Sequence, residues 1–390
     1  MDRESPGRDA AQEINVNKLI SFILLTAGCL APAFGQTRKT FDIYFLDMEG
    51  GASTLYVTPS GESLLMDTGN PGTRDVDRIM AALQDAGVKQ LDYLVLTHYH
   101  VDHVGGVQEL ASRIPIKHFV DHGPTVEERE QVNGFQAMYK DLWSKAAHTV
   151  GKPGDKIPFD GVTALVVTAA GEALKKPLPG AGKPNPACAA FKPQAENRDP
   201  ENRQSLGILF TFGKFRTINL GDFVWNAEPS LMCPNNPIGT IDLYAVSHHG
   251  TDQSGSEPLV HGLTPRVAVM NNGTRKGGAA QVYRVLYTSP GLEDLWQTHW
   301  SYTGGLEENA PSRFIANIED PAAVATFLTA PPPTPPTPGA PAGGRNGRGG
   351  GRGPGHTGPA FWIKASADSD GSFTVTNSRN GFSKTYPAHK

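Results

Sequence analysis

The run Thr97-His98-Tyr99-His100-Val101-Asp102-His103-Val104-Gly105-Gly106 constrains this chain most, because it follows directly on the apolar stretch Leu91 to Leu96. A short apolar run ending in a polar cluster reads as a buried strand that delivers side chains at its C-terminal end. Alternation along extended backbone would send His98 and His100 to one side, while Asp102 and His103 on the following turn serve a second site. Imidazole nitrogens with a carboxylate suit zinc or another first-row divalent ion, Mn2+ and Fe2+ included, and one or two ions are expected. Close-packed imidazoles lose hydration and repel one another when protonated, so a plain polar loop is a poor account of the cluster. Gly105 and Gly106 then permit a tight path where a helix is to start.

Beyond this run, Leu64-Leu65-Met66-Asp67-Thr68-Gly69, Leu220-Gly221-Asp222 and Val246-Ser247-His248-His249-Gly250 place further carboxylates and histidines after apolar stretches. Together with the His-x-His-x-Asp-His pattern, these pieces resemble the metallo-β-lactamase fold superfamily. The resemblance implies an α/β fold of four αββα layers around two central mixed sheets. Glu201-Asn202-Arg203-Gln204-Ser205-Leu206, Gly221-Asp222 and Ser247-His248-His249-Gly250 resemble most the hydrolase domain of ComEC/Rec2-type DNA-uptake proteins, and also phosphorylcholine esterases.

Carried over residue by residue, the resemblance implies metal ligands at His98, His100, Asp102, His103, Asp222 and His248, with Asp222 bridging two ions. Asp102, His103, Asp222 and His248 would form the second site; His98 and His100 would form the first, with a third ligand unnamed. Many members supply that ligand as a histidine before the bridging aspartate. Here His118, His122 and His148 are the only histidines in the interval, and none fits the usual motif. Asp67 is expected to orient ligands by hydrogen bonding. His249 is expected to act catalytically, on a phosphate oxygen or a leaving group, with replacement of His248 as ligand and an ordinary structural role the alternatives. Asp102 is expected to orient or deprotonate the attacking water.

The remaining chain reads as strands at 41–46, 53–58, 63–66, 118–120 and 162–168, with helices at 75–86 and about 126–147. A loop-rich insertion over 175–202 precedes strands at 206–212, 215–219, 241–246 and 267–270. The loop from Asn271 to Gly278 carries Asn271, Asn272 and Lys276, whose amides and cation are expected to hold an anionic substrate. Residues 331–359 are dominated by Pro and Gly and lack the apolar material for a core, so they read as a linker between a catalytic domain over 36–330 and a terminal β-hairpin over 360–390.

At the amino terminus, Lys18 followed by an apolar segment and small residues up to Gly35 reads as an export leader over 1–35, giving a periplasmic or secreted protein. Cys29 after Ala27-Gly28 offers lipid anchoring as the lesser alternative. Export makes a Cys188–Cys233 disulfide permissible, though sequence separation does not establish it. With 35 basic and 39 acidic residues the formal net charge is -4, which excludes a globally basic polyanion binder. No transmembrane channel and no obligatory protein partner are evident in the sequence. The expected function is phosphoester or phosphodiester hydrolysis, on a small molecule or single-stranded nucleic acid. A lactone or thioester hydrolase and a non-catalytic metal-containing envelope-binding protein are the alternatives.

Overall fold

A computed structural model describes residues 40–195, 200–304, 308–318 and 360–389. The expected leader and the Pro/Gly-rich linker lie outside the described residues. Among those described, no helix is long and apolar enough to cross a membrane.

Phe41–Phe45 shows how the sequence builds the layers. All five residues are buried, and their alternation divides them between two cores. Phe41, Ile43 and Phe45 join a cluster with the second sheet, whereas Tyr44 joins one with the helices. Leu64 and Met66 divide from Leu65 in the same way. A sheet with both faces apolar must be covered on both sides, which gives helix, sheet, sheet and helix in order.

The first sheet has nine strands, ordered from Ser383–Tyr386 through Phe373–Asn377, Ile363–Ala367, Phe41–Phe45, Thr54–Val57, Ser63–Met66, Leu91–Val95 and Ile116–Asp121 to Ala147–Val150. The second runs from Ile315–Asn317 through Asp294–His299, Val267–Met270, Leu243–Ala245, Phe215–Asn219, Gly207–Phe212 and Thr163–Ala169 to Lys156–Ile157, with Glu172–Ala173 pairing alongside. Tyr56 of the first sheet stacks on Phe210 of the second, ring centroids 4.1 Å apart. On the outer face, Val76, Ile79 and Leu83 of the helix Thr73–Asp85 are buried at helical spacing. Each such side chain contributes about 1.5–3 kcal/mol on burial.

Two expectations change, and a pairing that the sequence left open is formed. The helix expected to end near Ala147 spans only Glu130–Trp143, because Ala147–Val150 leaves it to pair in parallel with Ile116–Asp121. The terminal hairpin is instead three antiparallel strands, and Ile363–Ala367 pairs with Phe41–Phe45 as part of the first sheet. Cys188 and Cys233 form a disulfide with Cα atoms 5.8 Å apart.

What positions the site is strand direction. Ser63–Met66, Leu91–Val95 and Ile116–Asp121 run parallel in one sheet, as do Phe215–Asn219, Leu243–Ala245, Val267–Met270 and Asp294–His299 in the other. Their C-terminal ends carry Asp67, His98 to His103, Asp222, His248, His249 and Asn271.

Candidate metal centre

Asp67 organises the entry to the centre. It has left-handed backbone (φ 62°), and its Oδ1 accepts the Thr97 amide at 2.8 Å. Its Oδ2 accepts the Thr97 hydroxyl at 2.8 Å and the His103 Nδ1 proton at 2.8 Å. Since the Thr97 hydroxyl proton is spent on Asp67, Thr97 Oγ1 accepts from His98 Nδ1 at 3.0 Å. Both histidines therefore turn a bare Nε2 inward.

The same far-nitrogen rule holds for the late pair. His249 Nδ1 donates to the Asn271 carbonyl at 3.2 Å. His248 Nδ1 lies 3.1 Å from Ser254 Oγ, whose own proton goes to the Phe223 carbonyl at 2.8 Å. His248 and His249 both adopt left-handed backbone, at φ 53° and 56°. Two consecutive non-glycine residues there cost of order 1–3 kcal/mol each. Gly250 (φ 76°) continues the turn, and a Cβ on it would meet Met270 Sδ at 2.7 Å.

Asp102, His103, Asp222 and His249 converge, each offering one ligand atom within 4.8 Å of the others. Asp222 Oδ2 lies 3.2 Å from His103 Nε2 and 3.4 Å from His249 Nε2, while His249 Nε2 is also 3.4 Å from Asp102 Oδ2. His249, and not the expected His248, is thus the member of the histidine pair in this group of four. The left-handed turn brings its ring to Asp102. His248 Nε2 still approaches Asp222 Oδ2 at 3.4 Å.

His98 Nε2 and His100 Nδ1 face each other at 2.9 Å, and His98 Nε2 is 3.9 Å from Asp222 Oδ2. The far side of His100 meets Glu127 Oε1 at 3.2 Å and Arg129 Nη2 at 2.9 Å. With Glu127 accepting its Nε2 proton, His100 presents a bare Nδ1; with Arg129 donating, Nδ1 carries the proton that bridges to His98. The first tautomer is the metal-binding one.

Electrostatics fit a cation. Burial pulls the His103 pKa down, but the charges of Asp222, Asp67 and Asp102 outweigh it and hold the group well above its usual value. Burial likewise pushes Asp222 up, while His103, His248 and His249 more than compensate and keep it well below the usual carboxylate range. Burial, aided by His103 and His100, drives His98 well below the usual imidazole value. Burial lowers His248 to about 4. Neutral imidazoles at His98 and His248, and carboxylates whose charge draws a cation to His103, are the donor set of a first-row divalent site, and the residues fit one or two ions.

The other expected site residues scatter. Lys276 reaches the cluster and pairs with Asp102 Oδ2. Asn271 is half-buried, and its Oδ1 has no partner among the described residues. Asn272 is fully buried and gives its amide to the carbonyls of His299 (2.7 Å) and Gly273 (3.1 Å), so it braces the loop and does not face the cleft. A Cβ on Gly277 would lie 1.9 Å from the His249 carbonyl, which fixes that loop against the second histidine. None of the three intermediate histidines enters the cluster. His118 meets Thr149, His148 stacks on Trp143 and meets Asp121, and His122 Nε2 donates to Glu201 at 2.9 Å.

Glu127, Arg129, Glu201, Asn202 and Ser254 were not assigned roles from sequence. Glu201 also accepts the Tyr99 amide, the Thr125 hydroxyl and the Val126 amide, tying the metal loop to two distant segments. The Glu201-Asn202 motif was visible in the sequence; its contacts were not. A second acidic group, Asp47, Glu49 and His299, also lies close together. Its atoms are engaged: Arg78 Nη1 pairs with Asp47, Thr274 donates to Glu49, and Glu49 meets His299 at 3.1 Å. A surface hollow of about 830 Å³ around Glu172 to Pro179 contains no residue of the metal centre.

Comparison with known proteins agrees with this geometry: residues 47–183 match the model of the metallo-β-lactamase superfamily. These residues belong to the metallo-β-lactamase superfamily. The two sheets and their helices are accordingly the four-layer metallo-β-lactamase fold. ComE operon protein 3 of Bacillus subtilis (strain 168) is 26% identical over 189 residues, 48% of this chain and 20% of that relative. An atrochrysone carboxyl ACP thioesterase from Cryptosporiopsis sp. (strain 8999) is 31% identical over 111 residues, 28% of this chain and 34% of that relative. The solved metallo-β-lactamase fold protein YhfI from Bacillus subtilis matches at 12% identity with a TM-score of 0.41, covering 66% of this chain and 96% of that one. The chain thus spans about a third or less of the curated relatives named here. The metallo-β-lactamase domain is hydrolase-like, with a His/Asp cluster suited to one or two ions.

Proposed function

We propose that this chain is an exported, metal-dependent hydrolase of phosphoesters, phosphodiesters foremost. The observation that carries the reading is a pair of cations, one beside each half of the centre. Lys276 contacts Asp102, and Arg129 contacts His100 and Glu127. Both are partly exposed, with side-chain exposures of 35% and 52%, so a phosphoryl group can exchange with their present partners. Arginine in particular matches phosphate oxygens through its planar fork.

A bound divalent ion would supply Lewis acidity and lower the pKa of water. The chain's own residues do the rest. Asp102 presents a carboxylate at the cluster's open side and can hold a water by accepting its hydrogen bond. His249, fixed by the Asn271 carbonyl, and His103, fixed by Asp67, keep the donors aligned. Preorganised groups of this kind act without reorganisation as charge develops. The similarity to ComE operon protein 3 supports a phosphate substrate, and the Cys188–Cys233 disulfide supports an oxidising compartment.

A thioester or lactone substrate is the second reading, favoured by two thioesterases among the relatives. The deciding experiment follows turnover of bis-p-nitrophenyl phosphate, p-nitrophenyl phosphate, an acyl-CoA, a lactone and single-stranded DNA, before and after chelation and metal restoration. Chelator-sensitive phosphodiester cleavage is expected. Metal-dependent thioester turnover without phosphodiester turnover would overturn the first reading in favour of the second.

A further inference from the structure

We infer that the twin histidines are divided between two ions: His249 serves the second site, and His248 together with Asn202 completes the first. The inference rests on metal dependence, as proposed above, but not on the substrate.

Three observations converge on His248 Nε2. Its ring is held in one tautomer, because Ser254 Oγ spends its proton on Phe223 and must accept from Nδ1, leaving Nε2 with a bare lone pair. That lone pair is 3.4 Å from Asp222 Oδ2, the oxygen that also lies 3.9 Å from His98 Nε2. From His100 Nδ1 the donors therefore follow one another through His98 and Asp222 to His248.

Asn202 extends this series. Only 3% exposed, it places Nδ2 3.5 Å from His248 Nε2, and its Oδ1 has no hydrogen-bond partner among the described residues. A buried amide oxygen left unpaired costs about 1–3 kcal/mol. Rotating the amide exchanges its two ends, which are nearly isosteric. That places an oxygen beside a bare imidazole nitrogen, two lone pairs that a bound cation satisfies together. The neighbouring Glu201 anchors this segment to Tyr99, His122, Thr125 and Val126, so Asn202 is held beside the metal loop. Three imidazoles, a shared carboxylate and an amide oxygen make a complete ligand set for a first-row ion. The amide and His248 take the place that an intermediate histidine leaves empty.

Metal stoichiometry by mass spectrometry and Co2+ absorption test the division without reference to activity. Wild type is expected to hold two equivalents, and His248→Ala and His249→Ala one each. The discriminating variants are double. His98→Ala with His248→Ala should retain the same single ion as either alone, whereas His98→Ala with His249→Ala should retain none. Asn202→Leu removes a ligand oxygen and should weaken the first ion by at least about 10–100-fold, the range for losing even a supporting contact. It carries the test if His248→Ala fails to fold. Retention of both ions in His248→Ala, loss of both in the His98/His248 double variant, or unchanged affinity in Asn202→Leu overturns the assignment. Two ions with the expected losses but no phosphodiester turnover would leave it standing and remove the proposed substrate instead.

Discussion

At the scale of single residues, the centre works by fixing the far nitrogen of each imidazole so that the near one is bare. Asp67 does most of this, with three hydrogen bonds to Thr97 and His103. Asp67→Asn puts an NH2 where one of these donors points, and metal affinity is expected to fall about 10–100-fold, measured by competition with a chelator of known strength. Asp102 differs, because its side chain is 16% exposed and its partners, Lys276, His103 and His249, are groups of the centre itself. Asp102→Ala should therefore leave the melting temperature near wild type while turnover falls by about 10²–10⁴-fold, the range for a positioned proton-handling group. Full activity at unchanged metal content would remove Asp102 from the mechanism. His98, His100, Asp102 and His103 were legible as a group because their spacing is local to one strand end. Glu127, Glu201 and Ser254 were not, since their partners lie 27, 79 and 6 residues away and only the fold selects them. The division between His248 and His249 turns on two left-handed φ angles that no spacing rule reports.

Elements meet the site through loops, and the loop carrying Lys276 is clamped to the one after Phe41–Phe45. Glu49 receives the Thr274 hydroxyl at 2.9 Å and meets His299, at the end of Asp294–His299, at 3.1 Å. Burial raises Glu49 and lowers His299, but their mutual hydrogen bond wins, giving about 2 for the carboxyl and about 9 for the imidazole; Asp47 also favours the charged ring. The raised His299 value stabilises the fold fully below about 6.5 and loses effect as pH rises through about 9. The lowered Glu49 value stabilises it fully above about 4.5 and loses effect as pH falls through about 2. Wild type should therefore exceed Glu49→Gln in melting temperature most between about pH 4.5 and 6.5, with the gap closing towards pH 9. A gap independent of pH from 5 to 10 would mean that the pair contributes by packing alone. Strands with apolar runs were legible in sequence, whereas the start of Ala147–Val150 was read as a helix end and the strand itself was missed. Its residues are largely exposed at a sheet edge, where pairing with Ile116–Asp121, not burial, makes the strand.

Over the whole molecule, the two sheets carry the site, and the long insertion between Thr163–Ala169 and Gly207–Phe212 carries Glu201 and Asn202 back to it. That insertion is poor in regular structure, so its placement depends on a few anchors. Asn185 gives its amide to the carbonyls of Met232 (3.1 Å) and Pro258 (2.8 Å), and Cys188 is bonded to Cys233, the residue that follows Glu228–Met232. A cross-link spanning 45 residues removes unfolded-chain entropy equivalent to about 4 kcal/mol, before any strain is subtracted. The Cys188→Ser/Cys233→Ser variant should accordingly unfold at lower urea concentration by about 2–4 kcal/mol, and reductant should shift wild type to the same midpoint while leaving the variant unmoved. Because His103 and His249 are held by Asp67 and Asn271, outside the insertion, the second ion should bind the variant as tightly as wild type. The first ion depends on Asn202 and should bind it more weakly. Equal weakening of both would show that the insertion supports the entire centre.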